Sequence, residues 1–184
     1  MVAAFLQAEL ESPRWKQHVL AGLAAERCSR TLIDQPDLCD AAQNAARARV
    51  LAYRGYGKNE LLFAGFPSGV EWQRVSCDSD DFRRTRVLNQ PVWIGYTSGS
   101  RLASAAAEYL GAEATQEAVK TDVSAVVARL KAGHTLPEVI LVGTSLDDLV
   151  ILEGHARIMA AIQSNRTLPT LIGTSDAMRS WGFY

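Results

Sequence analysis

This chain of 184 residues lacks the features that mark several common classes of protein. It has only three cysteines, with no C-x-x-C pair and no histidine at the spacing of a zinc ligand. A disulfide scaffold or a zinc site is therefore not expected, and reduced thiols favour a cytoplasmic location. An internal repeat, a low-complexity segment and a proline-rich linker are also absent.

Positive charge and long apolar runs are scarce as well. The net charge is −1, and the densest basic group, Arg83, Arg84 and Arg86, follows three aspartates. Sequence-independent DNA binding needs a concentrated positive surface, so nucleic acid is not an expected partner. No apolar run approaches a membrane-spanning length, and the first 16 residues lack the basic start and apolar core of a secretory signal. Neither a membrane partner nor a signal peptide is expected.

Apolar residues are plentiful, at 48% of the chain, which suffices for a substantial core. The length suits one domain with an extension. Helical patterns fill the first fifty residues, and strand patterns begin near residue 60. We therefore expect an α+β protein, with a helical N-terminal extension over 1–57 and an α+β domain over 58–184, packed as a single compact unit.

Capping and turn residues predict where the elements begin and end. Ser12 followed by Pro13 predicts the start of one helix, and another is expected from 34–36 to Tyr53, where Gly55 stops it. Further helices are expected after Asp78, over 102–110, and from a cap at Thr121 or Asp122 to Gly133. Strands are expected at 61–66, 70–77, 92–94, 139–142, 149–152 and 169–172.

The stretch 149–162, LVILEGHARIMAAI, carries the most chemistry. An apolar, branched run predicts a buried strand, and the residues after it predict a helix with one apolar face. The first amides of such a helix have no internal acceptors, and the helix dipole favours negative charge there. With Gly154 allowing close backbone approach and His155 and Arg157 as donors, this junction predicts a phosphate site.

The E-G-H-A-R segment between this strand and helix resembles the phosphate loop of the ParB/sulfiredoxin superfamily. Gly154 and Arg157 match its ParB, sulfiredoxin and free-serine-kinase versions, whereas His155 matches only the kinase version, D-G-H-x-R. The reactive sulfiredoxin cysteine is replaced by His155, so sulfinic-acid reduction by that route is not expected. The resemblance covers about residues 120–173 and implies a mixed sheet with flanking helices.

The same resemblance implies roles for individual residues. Gly154, His155, Ala156 and Arg157 would hold nucleotide phosphates. Glu153 would be a magnesium ligand or general base, and Glu153 and His155 would be catalytic. Lys131 and Thr135, before the strand that begins at Val139, would lie near the base or sugar.

A second junction, T-S-G-S-R at 97–101, is expected between the strand at 92–94 and the helix at 102–110. Small hydroxyl residues around a glycine, followed by arginine, can hold an anion, so Ser98 and Arg101 are candidates for substrate binding. The alternative is an ordinary helix cap, because Thr97 and Ser98 are good N-cap residues.

The expected function is a nucleotide-dependent phosphotransferase or phosphohydrolase that acts on a small molecule with ATP or ADP and Mg²⁺. One alternative is a nucleotide-binding regulatory module without turnover. Another is a nucleic-acid-binding ParB-like protein, which the near-neutral charge disfavours. The acceptor substrate and the oligomeric state do not follow from the sequence.

Overall fold

The computed structural model describes residues 1–54, 63–112 and 118–184, with the side chain of residue 118 left aside. The chain divides into two compact units, Met1–Ala64 and Gly65–Tyr184. The predicted boundary between residues 57 and 58, and the predicted stop at Gly55, lie outside the described residues. The predicted α+β class is confirmed.

The first unit is helical over its described residues. Its helices are α1 (Val2–Glu11), α2 (Lys16–Ala25), α3 (Thr31–Asp34) and α4 (Ala41–Leu51). The predicted cap at Ser12 is wrong, because α2 begins at Lys16 and Ser12 instead follows the end of α1, donating its amide to Glu9.

The start predicted for the second helix, at 34–36, is also wrong. Asp40 caps α4 by accepting the Gln43 amide at 3.0 Å. The buried Arg47 guanidinium donates to the carbonyls of Leu32, at 3.0 Å, and Asp37, at 2.6 Å. These bonds hold α3 and the non-helical residues between α3 and α4 against Arg47, which the local pattern did not reveal.

The second unit contains a four-stranded mixed sheet in the order β1-β4-β2-β3. Its strands are β1 (Glu71–Cys77), β2 (Val139–Gly143), β3 (Leu149–Glu153) and β4 (Leu168–Thr174). The hairpin strands β2 and β3 are antiparallel, β4 runs parallel to β2, and β1 pairs antiparallel with β4. The strands predicted at 70–77, 139–142, 149–152 and 169–172 are thus confirmed.

The second unit also contains helices, one of which, α9, follows β3. They are α5 (Ser79–Arg84), α6 (Pro91–Tyr96), α7 (Ala103–Gly111), α8 (Ala118–Lys131), α9 (His155–Ser164) and a 3-10 helix (Asp176–Ser180). Five consecutive residues of α9, Ile158–Ile162, are buried, and the helix packs against α5, α7, α8 and β2. Burial on this scale holds the N-terminus of α9 in a defined place beside the sheet.

Three elements predicted between residues 61 and 122 differ from the structure. The strand predicted at 92–94 is wrong, because Pro91 occupies the first turn of α6, where its fixed φ favours a helix. Of the strand predicted at 61–66, residues 61 and 62 lie outside the described residues, 63–65 form a turn, and residue 66 has no regular secondary structure. The cap predicted at Thr121 or Asp122 is wrong, since α8 already includes Ala118 and Val119 packs on the core.

Candidate phosphate site at the β3–α9 junction

Gly154 makes the turn from β3 into α9. Its φ of 97° and ψ of 24° lie in the left-handed region, which L side chains adopt at a cost. A Cβ on Gly154 would lie 2.6 Å from Cγ1 of Val139 and 3.1 Å from Nη2 of Arg157. Glycine is therefore required by the packing of the protein itself, and the close approach of a ligand stays a prediction.

Arg157, expected to face a phosphate, directs its guanidinium into the protein. Nη1 donates to the carbonyls of Pro137, at 3.0 Å, and Glu138, at 3.3 Å. Nη2 lies 3.0 Å from Oε1 of Glu153, and both side chains of this ion pair are largely buried. The side chain thus joins the first turn of α9 to the segment that enters β2.

Glu138 extends this network to the edge of the sheet. Its carboxylate accepts two hydrogen bonds from Arg74 of β1, at 3.1 and 3.2 Å, while its carbonyl accepts from Arg157. Paired, fork-shaped contacts of this kind fix orientation as well as distance. The approach to β2 is therefore held from both sides, by β1 and by α9.

His155 packs against an aromatic side chain that the sequence pattern did not indicate. Its ring is stacked on Trp93 of α6, with centroids 4.3 Å apart and planes 18° from parallel. Trp93 in turn meets Tyr96 edge-on at 5.5 Å. The signal lay in Pro91: a helix that begins there brings Trp93 and Tyr96 to one face, one turn apart.

The N-terminus of α9 has no side-chain cap within the described part of the chain. The i to i−4 bond closest to its start runs from the Ile158 amide to the Gly154 carbonyl, at 2.9 Å. The amides of residues 155–157 precede that bond, at the end of the helix where the dipole is positive. Ala156 is half-buried against the core at this point.

Lys131 and Thr135 lie at the end of α8 and in the connection from α8 to β2. Lys131 ends α8, Gly133 terminates the helix with a φ of 78° as predicted, and both Lys131 and Thr135 are exposed. The same connection continues to Pro137, whose carbonyl accepts from Arg157. Arg157 thus brings the end of this connection to the start of α9, and the ligand roles of Lys131 and Thr135 stay predictions.

The second candidate junction, 97–101, joins two helices rather than a strand and a helix. Ser98 and Gly99 are left-handed, with φ of 49° and 88°. Thr97 follows α6, and its hydroxyl donates to the Trp93 carbonyl at 3.1 Å. Leu102, without a side-chain bond, is the N-cap of α7. The cap predicted at Thr97 or Ser98 is therefore wrong.

The Arg101 side chain is hydrogen-bonded to the main chain. Its Nε and Nη2 donate to the Val87 carbonyl at 3.1 and 2.9 Å. Burial, and next the positive charge of Arg86, lower the pKa of Arg101 from its usual value. Ser98 is exposed. The structure separates the two candidates: Ser98 faces solvent, whereas Arg101 secures the start of α7.

Among the described residues, no three His, Cys, Asp or Glu side chains are grouped so that they could hold a metal ion. Within that same part of the chain, no helix is long and apolar enough to cross a membrane. No protein-family model, curated protein or solved structure matches this chain.

Proposed function

We propose that this protein binds a nucleotide with its phosphates at the N-terminus of α9, as in the ParB/sulfiredoxin superfamily that the E-G-H-A-R segment resembles. The observation that carries the proposal is the geometry of the junction: a strand, a left-handed Gly154 and a helix start without a side-chain cap in the described part of the chain. Amides at such a helix start are natural donors to phosphate oxygens.

The proposal gives the residues distinct tasks. The amides of His155, Ala156 and Arg157 contact phosphate, and the His155 ring, oriented by Trp93, adds a donor. The Arg157 side chain is a positioning residue, because its guanidinium holds Glu153, Pro137 and Glu138 in place. Lys131 and Thr135 face the base or sugar, and Ser98 and Arg101 remain candidates for the second substrate.

The proposed activity is nucleotide-dependent phosphotransfer to, or phosphohydrolysis of, a small molecule, with ATP or ADP and Mg²⁺. Phosphoryl transfer depends mainly on positioning and on neutralising charge. One carboxylate is enough for Mg²⁺, which commonly takes its other ligands from phosphates and water. Glu153 fits that role or that of a general base, with its charge shared with Arg157.

A regulatory nucleotide-binding module without turnover is the second candidate. The largely buried Glu153–Arg157 ion pair favours it, since a carboxylate committed to an arginine is a poorer base and a poorer metal ligand. The nucleic-acid-binding alternative has less support, because the net charge is −1.

A matched pair of variants at Ala156 tests the binding site. Ala156→Asp places a carboxylate beside the amides of the first turn, where it suits the helix dipole but repels phosphate. Ala156→Asn has the same size without the charge. We expect calorimetric titration with ATP, ADP, CTP and GTP, with and without Mg²⁺, to show about tenfold or greater loss of affinity in the Asp variant relative to Asn. Equal affinities in the two variants, or no nucleotide binding by the parent protein, would refute the site.

Glu153→Gln then separates the enzyme from the binding module. If Glu153 serves catalysis, phosphate release or small-molecule phosphorylation is abolished while nucleotide affinity is kept or increased, as repulsion is relieved. A parent protein that binds nucleotide without turnover supports the regulatory module. Full activity in the Gln variant would remove Glu153 from the mechanism.

A further inference from the structure

Residues 175–184, which we call the strap, are attached to the sheet in two different ways. The first part is an apolar anchor: Met178 and Trp181 are buried, and Trp181 meets Phe66 edge-on at 5.2 Å. The Ser175 amide donates to the Gly143 carbonyl at 3.0 Å, which fixes the strap to the end of β2.

The end of the strap is held by a polar cluster at the β2–β3 hairpin, which we call the latch. The Tyr184 hydroxyl lies 2.5 Å from Oδ2 and 2.7 Å from the main-chain oxygen of Asp148, and it accepts the Thr144 amide at 3.2 Å. Nη2 of Arg86 lies 2.5 Å from Oδ1 of Asp148, and its guanidinium carbon lies 4.7 Å from the centroid of the Tyr184 ring. One side chain, Tyr184, thus makes most of the contacts that hold the strap end.

The two attachments differ in burial. Trp181 is 3% exposed, whereas the side chains of Arg86 and Asp148 are 28% and 37% exposed. Tyr184 is itself only partly buried, and its hydroxyl can bond water once released, so releasing it costs less than exposing the buried indole of Trp181. The main chain of Arg86 is held independently on the edge of β3, by bonds of 2.8 Å to Leu149 and Ile151, and so remains in place when the latch opens.

We propose that residues 182–184 form a reversible closure, which the Tyr184 latch fastens over the β2–β3 hairpin while the Trp181 anchor stays bound. Opening uncovers the partly buried Arg86 guanidinium and the two partly buried ends of the hairpin turn, Thr144 and Asp148. The charged or titratable groups that face Asp148 are Arg86, Arg101 and Tyr184, so the closed state joins the hairpin, the segment after α5 and the start of α7. The closure does not depend on nucleotide binding.

Amide hydrogen exchange of single residues tests this closure. Asn89 donates its amide to the Phe183 carbonyl at 3.0 Å and therefore reports on the strap end, whereas Ser175 reports on the anchor. In Tyr184→Phe we expect Asn89 to exchange about tenfold faster, the factor that matches a hydrogen bond to a charged group. Ser175 should keep its parent rate, because the anchor is untouched.

Asp148→Ala provides a second route to the open state and should also accelerate Asn89 without accelerating Ser175. Asp147→Ala is the matched control, because it removes the neighbouring, exposed carboxylate and should leave both amides unchanged. An unchanged Asn89 rate in both latch variants would show that Tyr184 and Asp148 do not hold the strap end. Equal acceleration of Asn89 and Ser175 would show that no separate closure exists. Either result overturns the proposal.

Discussion

Two segments of this chain share a glycine followed by an arginine but have different structures. Both E-G-H-A-R at 153–157 and T-S-G-S-R at 97–101 contain a left-handed glycine followed by an arginine that donates to main-chain carbonyls. The first joins a strand to a helix, and the second joins two helices. In both segments the glycine forms a tight turn that the nearby arginine secures, so these two residues do not by themselves indicate a phosphate site.

The packing around the two glycines differs. Gly154 has Val139 and Arg157 where a side chain would be, whereas nothing lies within 4 Å of a Cβ built on Gly99. The arginines differ in the same sense: Arg157 is paired with a carboxylate in a largely buried setting, and Arg101 bonds one carbonyl in a partly exposed one. The β3–α9 junction is thus part of the core, and its substitution should cost more stability.

The largest difference in stability loss between the two segments is expected when their arginines are substituted. Arg157→Ala removes one partner of a buried pair and should lower the free energy of unfolding by about 3–5 kcal/mol. Arg101→Ala should cost about 1–2 kcal/mol, because it leaves no buried charge behind. Denaturant unfolding of both variants measures the difference. Arg157→Lys restores the charge without the fork and should fall in between; similar losses for both alanine variants would contradict the comparison.

A smaller difference in stability loss is expected when the two glycines are substituted. Gly154→Ala combines a left-handed alanine with overpacking against Val139 and should cost about 2–4 kcal/mol. Gly99→Ala carries only the backbone penalty, about 1–2 kcal/mol. The measurement is again the free energy of unfolding. In a double-mutant cycle with Val139→Ala, the double variant should lose less stability than the sum of the two single losses, and strictly additive losses would mean that overpacking against Val139 is not the cause.

The smallest effect on stability is expected from pH, which acts on Asp148 in the latch, close to Arg101. Burial opposes ionisation of Asp148, but the Tyr184 hydroxyl and the Arg86 charge outweigh it and lower the pKa. A lowered pKa in the folded state stabilises the protein above the ordinary value of about 3.9, and this stabilisation is lost as pH falls through the lowered pKa. The stability advantage of the parent over Asp148→Asn, about 1 kcal/mol or less, should therefore shrink between pH 7 and pH 2.5 in unfolding titrations. An advantage that grows on acidification would reverse the assigned sign.

Local sequence patterns were sufficient where residues adjacent along the chain decide the structure. Asp78 forms a capping box with Asp81 at the start of α5, as its position before a helical run predicted. The apolar runs of β2, β3 and β4 were recognisable because strands buried in a mixed sheet need continuous apolar residues. The order Leu152-Glu153-Gly154-His155 marked the strand-to-helix turn for the same local reasons.

Side-chain direction at the junction was decided only by tertiary structure. The sequence by itself determined the α+β class, the strands at 139–142 and 149–152 and the glycine turn into α9, because these follow from periodicity, capping and backbone sterics. It did not determine that Arg157 turns inward to Pro137 and Glu138, or that His155 stacks on Trp93, because these partners lie 19 or more positions away along the chain. Several acceptors of similar strength could bind a long side chain, and it bonds the one that the fold brings within about 3 Å. That proximity is established only when the sheet and α9 have packed together.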